Sequence, residues 1–266
     1  MIDLFISANL LLTQPDSGLQ LTIVDTLHHK ADFITTDPIG NLYLINNFTV
    51  NKYNAKGDSL FSQNFNQLRS IEYFDASQAL KIYAVNFSFN SLFILDNTLT
   101  PQNQPITFEK IPVEQVTLLC ASNFNNSVWV YDGVKMQLVK LDNNFRVTNF
   151  SVNFYSHADL SGIPNYMVES ENNLYINIPE NGIKVFNQFC NFVKNIPVKT
   201  EGKFIVRHQK VYYSEGGKIK FYNMFDFTYG ELDLPFEGIQ DFSIEKNKLY
   251  IKKENEIYIV DAKQDF

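Results

Sequence analysis

The residues able to do chemistry are few and scattered. Four histidines and two cysteines occur in 266 residues. His28 and His29 are adjacent; neighbours in a strand point to opposite faces, so a pair without further ligands suits a solvated strand end better than a metal site. "SHAD" (residues 156–159) brings Ser, His and Asp together in one loop, whereas catalytic triads are assembled from distant segments. His208, beside Arg207, reads as a polar turn residue. Cys120 and Cys190 stand far apart and form neither a disulfide framework nor a zinc site. No P-loop, dinucleotide fingerprint, HExxH or GxSxG is present, and "GGK" (residues 216–218) lacks the rest of a phosphate loop and reads as a tight turn.

Whatever site exists must therefore be built by the elements, and these are strands. Short runs of Tyr, Phe, Val and Ile alternate with polar residues between turn signals, and no long stretch keeps a helical period. The runs repeat. "NLYLI" (residues 41–45) has counterparts in "VWVY", "NLYIN", "KVYYS" and "KLYIK", which place an aromatic at Tyr43, Trp129, Tyr175, Tyr212 and Tyr250. "LKIYA" (residues 80–84) is a weaker copy, with Lys81 where the aromatic belongs. Each is followed by an apolar pair closed by Asn or Asp: "VNKYN", "LFILD", "LVKLD", "IKVFN", "IKFYN" and "IYIVD". The closing residue suits a turn, because its short side chain can bond its own backbone. Gly57 and Cys190 occupy equivalent turn positions, where positive φ is free for glycine and mildly strained for cysteine.

Six copies at roughly 36–46 residue spacing predict an all-β, six-bladed β-propeller with four strands per blade. The last blade lacks an outer strand. "LQLTIVDTL" (residues 19–27) is an alternating strand with no blade of its own, so it is expected to complete the sixth blade and leave no broken edge in the ring. This gives residues 1–18 as an N-terminal arm or remnant of a signal peptide and residues 19–266 as one propeller domain. "LFISANLLLTQ" (residues 4–14) is too short to span a bilayer. It suits the apolar region of a signal peptide, although "MID" before it has no positive charge, which would place the true start upstream.

"DPIGNLYL…VNKYNAKG" (residues 37–57) resembles an NHL-type repeat of six-bladed, TolB-like propellers. The first and fourth blades match best and the second least. The chain is also similar to small exported bacterial propellers of unassigned activity. That resemblance implies a rigid disc with variable loops. The expected function is a non-enzymatic protein-interaction scaffold, periplasmic or envelope-associated, with a cytoplasmic location as the alternative.

In such a ring the starts of the inner strands face one channel mouth, which makes Asp32, Glu72, Gln115, Asn165, Lys203 and Asp241 the candidate site. Six-bladed lactonases and related hydrolases hold calcium through Glu, Asp and Asn at such positions. The alternative function is therefore a calcium-dependent lactonase or hydrolase, with Lys203 opposing the cation. A small-ligand or glycan binder using mouth aromatics is a third reading, and a solvated ring is the plain one. No catalytic residue, resident metal or other cofactor is assigned. Net charge is −7, which repels a phosphate backbone and argues against nucleic acid. No later stretch reads as a transmembrane helix.

Overall fold

A computed structural model describes residues 20–266 and the backbone of Gln14–Pro15. The leader-like stretch and the boundary at residue 18 otherwise lie outside the described residues. The chain forms six antiparallel blades of four strands each. Blade 1 runs Phe33–Thr36, Leu42–Asn46, Thr49–Tyr53 and Ser59–Asn64 from the axis outward. Blades 2 to 5 repeat this order, beginning at Tyr73–Asp75, Val116–Ala121, Tyr166–Ser170 and Phe204–Arg207. Gln14–Pro15 adds a short parallel strand outside Tyr229–Glu231 of blade 5.

Blade 6 contains Asp241–Glu245, Lys248–Lys253 and Glu256–Ala262. Its fourth strand is Leu21–Leu27, which runs antiparallel to the third from Leu21 opposite Ala262 to Leu27 opposite Ile257. The N-terminal strand thus completes the last blade and closes the ring, as its alternation predicts. Gly57, in the last turn of blade 1, lies against this closure. A Cβ there would come within 2.8 Å of the Asp25 carboxylate and 3.4 Å of Leu27 and Ile259.

The core is six apolar layers, one between each pair of neighbouring blades. Tyr43, Val50, Phe74 and Phe93 fill the first layer. Leu42, Leu44, Tyr250 and Ile259 fill the last, between blades 6 and 1. Buried lysines reinforce the stacking. Lys52 donates to the Asn97 carbonyl of blade 2 at 2.8 Å, and Lys140 of blade 3 to the Gln188 carbonyl of blade 4 at 3.5 Å. In blades 1 to 5 the last turn has the local chemistry its Asn or Asp implies, whereas Asp261 of blade 6 lies within its third strand and pairs with Lys248. Asp96 Oδ1 accepts from Thr98 N and Thr100 N, and Asp142 Oδ1 from Asn144 N and Arg146 N. Cys190 does adopt the left-handed conformation of Gly57, at φ 64° against 88°, with the same N–H to the turn's Asn carbonyl at 3.0 Å.

One expectation is corrected. The aromatic of blade 2 is present: Tyr83, in Ile82–Asn86, pairs with Asp75 as Tyr43 pairs with Thr35. Lys81 lies in the preceding turn and reaches the Asn126 carbonyl and Asn143 Oδ1 of blade 3. A two-residue offset keeps a side chain on the same face, so alternation cannot distinguish the frames.

The aromatic tips serve different ends. The Tyr43 hydroxyl donates to buried Asp37 at 2.8 Å, Tyr250 to the Gly40 carbonyl at 3.0 Å, and Trp129 Nε1 to Glu169 at 2.5 Å. The equally buried Tyr83 hydroxyl has no hydrogen-bond partner among the described residues.

Two outcomes follow for stability. Tyr83→Phe removes an unsatisfied buried hydroxyl and should be neutral or stabilising, whereas Tyr43→Phe takes a donor from buried Asp37 and should cost about 1–3 kcal/mol in urea denaturation. A chain lacking residues 1–28 loses the fourth strand of blade 6 and should melt well below the full chain, or without cooperativity, by circular dichroism.

Candidate functional site

The first strands of the blades all run from one mouth of an axial channel to the other. Their polar starts and ends therefore collect at opposite mouths. Asp32, Glu72, Asn165, Lys203 and Asp241 do share one cavity of about 530 Å³ at the mouth where these strands begin. Gln115 does not. It lines a separate depression with Phe89, Glu109 and Val134, and its main-chain N–H and that of Glu114 are bonded to the Asp132 carboxylate.

The convergent residues are committed to the fold. Asp32 Oδ2 accepts from Asn47 N at 2.6 Å, and Glu72 Oε2 from Phe87 N and Ser88 N at 2.9 and 3.1 Å. Each thus fastens the turn between the second and third strands of its own blade. Asn165 accepts from Asn177 Nδ2 and donates to the Glu201 carbonyl. Lys203 and Asp241 join three blades: Lys203 Nζ donates to Asp241 Oδ1 at 3.0 Å and to the Ile34 carbonyl at 2.6 Å, while Asp241 Oδ2 accepts from Ile34 N at 2.8 Å. Among the described residues, no group of three or more His, Cys, Asp or Glu side chains is placed to hold a metal ion.

The walls below these polar groups are aromatic and aliphatic, with Phe33, Tyr73, Phe87, Leu118, Tyr166 and Met167 among them. Tyr73 lies 6.3 Å from Phe87 and 6.4 Å from Tyr166 between ring centroids, so these rings form one strip. Burial, with Asp75 nearby, pushes the phenols of Tyr73 and Tyr166 well up, and both stay protonated. Thr35, Tyr73, Phe74, Tyr166 and Lys203 also line a second cavity of about 530 Å³ at the far mouth, so they form the waist of the channel.

The far mouth holds residues that the sequence did not single out. Glu245 of blade 6 takes a two-pronged bond from Arg207 of blade 5, at 2.8 and 2.9 Å. Asp75 of blade 2 accepts from Ala121 N of blade 3 at 2.7 Å. Glu169 of blade 4 accepts from Asn123 N and Trp129 Nε1 of blade 3. Position is the signal for them: they lie at or next to the ends of the inner strands whose beginnings form the candidate site.

The other sequence candidates disperse. His28 approaches Glu256 at 3.4 Å while His29 contacts the Tyr53 ring. In "SHAD" the Ser156 hydroxyl donates to the Asn153 carbonyl, and His157 Nδ1 accepts from Asp159 N, so no relay links them. His208 Nδ1 meets the Phe266 main-chain oxygen at 2.6 Å. Gly216 and Gly217 form a hairpin turn. Both cysteines are buried, and burial raises their thiols, that of Cys190 to about 12.

No family model matches the chain, and no curated protein does. Solved structures match in shape. The WD40 domain of Neurospora crassa Pan2 aligns over 96% of this chain and 99% of its own, with TM-score 0.59 and 10% identity. A streptogramin B lyase aligns over 92% and 97%, with TM-score 0.57 and 10% identity. BBS1N, solved in complex with ARL6DN, aligns over 83% and 74%, with TM-score 0.51 and 8% identity. At such identities the likeness is one of fold. The chain is a six-bladed β-propeller. No helix among the described residues is long and apolar enough to cross a membrane.

Replacing Lys203 by Met strands the Asp241 carboxylate and removes a bond to blade 1. It should lower the unfolding free energy by about 1–3 kcal/mol, because the pair is only partly exposed. Urea denaturation of the two proteins is the check.

Proposed function

We propose that the chain is a non-enzymatic propeller of the NHL or TolB-like type that binds a partner protein, exported and associated with the cell envelope. The observation that carries the reading is the face opposite the polar strand starts. There, turns present Ile39, Leu80, Phe124, Phe189, Phe225 and Phe227 to solvent, with Phe225 77% and Phe227 72% exposed. Exposed aromatics on a rigid support are the usual anchors of protein interfaces. These turns are held in place. Lys81 ties its turn to Asn126, and Lys140 lies 5.4 Å from the Phe124 ring while bonding the turn that carries Phe189.

BBS1N was solved in complex with ARL6DN, and a lyase stands among the structural neighbours, so the fold alone serves both classes. What favours binding over a calcium-dependent hydrolase is the state of the mouth carboxylates: Asp32, Glu72 and Asp241 each already fasten a backbone N–H. Export is supported by the apolar run at residues 4–14.

A photo-crosslinking residue at position 189 or 225, in the source organism, should trap one discrete protein that fractionates with the envelope. The same residue at position 61 on the outer rim should not. No adduct from either face position, or equal adducts from all three, would overturn the reading.

A further inference from the structure

The lining of the axial channel is strongly unbalanced in charge. Asp32, Glu72 and Asp241 line the first cavity, and Asp75, Glu169, Glu171 and Glu245 the second. Among the described lining residues only Lys203 and Arg207 oppose them, with His208 counted as neutral, and each is engaged by a carboxylate of its own. Seven carboxylates against two cations leave an excess of five negative charges around one narrow passage, in a chain whose total is −7. Low-dielectric walls focus such a field along the axis.

Asp75 is the key member. It is 7% exposed and lines the cavity just below the waist. Its oxygens accept from Ser77 N, Ala121 N and, at 3.4 Å, the Tyr73 hydroxyl. No ion pair reaches it from the described residues. Hydrogen bonds alone compensate its burial, and a cationic partner would supply the charge that buried carboxylates are commonly paired with. Directly above it runs the strip Tyr166–Tyr73–Phe87, whose faces attract cations and whose edges suit methylene groups. At the upper end of that strip Glu72 fastens the Phe87 turn through Oε2 and is itself exposed. Glu72 and Asp75 are three residues apart, about 10 Å at extended spacing.

We infer that the channel binds a linear alkyl polyammonium, one ammonium at Asp75, the methylene chain along Tyr166, Tyr73 and Phe87, and a second ammonium at Glu72. Each cavity is within the usual size of a small-ligand site. A hard inorganic cation fits less well, because among the described residues no three His, Cys, Asp or Glu side chains converge and the walls are aromatic. An anion is repelled throughout. This site lies inside the ring and does not depend on a partner protein at the turn-bearing face.

The chain carries its own reporter. Its single tryptophan, Trp129, bonds Glu169 of the channel lining. The full chain should bind spermidine saturably by calorimetry, with a change in Trp129 emission, while 1,8-octanediol, of similar length and uncharged, should give neither. Asp75→Asn keeps an acceptor for Ala121 N and should weaken binding at least about tenfold, a loss of about 1.4 kcal/mol. Glu72→Gln, at the exposed rim, should weaken it about threefold and leaves the fold intact even if the first variant does not. Saturable binding absent up to about 5 mM, both variants binding as tightly as the parent, or calcium displacing spermidine at equal concentration would each overturn the assignment.

Discussion

The structure depends on one pairing, that of Leu21–Leu27 with Glu256–Ala262. No blade has a core of its own. Its apolar residues face the blades on either side, and each layer needs both walls to exclude water. Five blades obtain a complete sheet from consecutive sequence. The sixth must borrow its outer strand from the other end of the chain, and that loan converts an open stack of sheets into a ring. Gly57, pressed against Asp25, Leu27 and Ile259, shows how closely blade 1 then settles on the borrowed strand.

Closure also creates the channel, and with it a competition for polar side chains. The ends of the inner strands would carry unsatisfied backbone groups at both mouths, so polar residues are needed there whatever the function. Asp32 and Glu72 fasten turns of their own blades, while Lys203, Asp241, Asp75, Glu169 and Arg207 tie neighbouring blades. The acids outnumber the bases in this role because a carboxylate can accept from the backbone N–H groups that turns expose, which an ammonium cannot. The negative field along the axis is thus a by-product of how the ring is fastened, available to a cationic ligand without further cost to the fold.

Much of the architecture was legible in the sequence. The period-2 alternation, the closing Asn or Asp of each third strand and the unattached strand at residues 19–27 together specify six blades and the closure. The failures have particular causes. Lys81 and Tyr83 share a face, so the repeat frame of blade 2 slipped by two residues. Five of six mouth residues converge because strand starts are fixed by the ring, while Gln115, whose main-chain N–H bonds Asp132 seventeen residues on, lines a separate depression that no local pattern announces. The capping roles of Asp32 and Glu72 depend on partners 15 residues away across a hairpin. Asp75, Glu169, Arg207 and Glu245 carry no local pattern that marks them, because their partners lie in neighbouring blades.

Native-state hydrogen exchange tests the central claim, that the borrowed strand is an integral wall of the ring. If it is, the amides of Leu21–Leu27 that pair with Glu256–Ala262 exchange only through the same cooperative opening as the inner strands of blades 1 and 6, with matching protection and denaturant dependence. Exchange of residues 21–27 that is orders of magnitude faster, with blade 1 and blade 6 still protected, would show a ring that holds without its closure and would contradict the account.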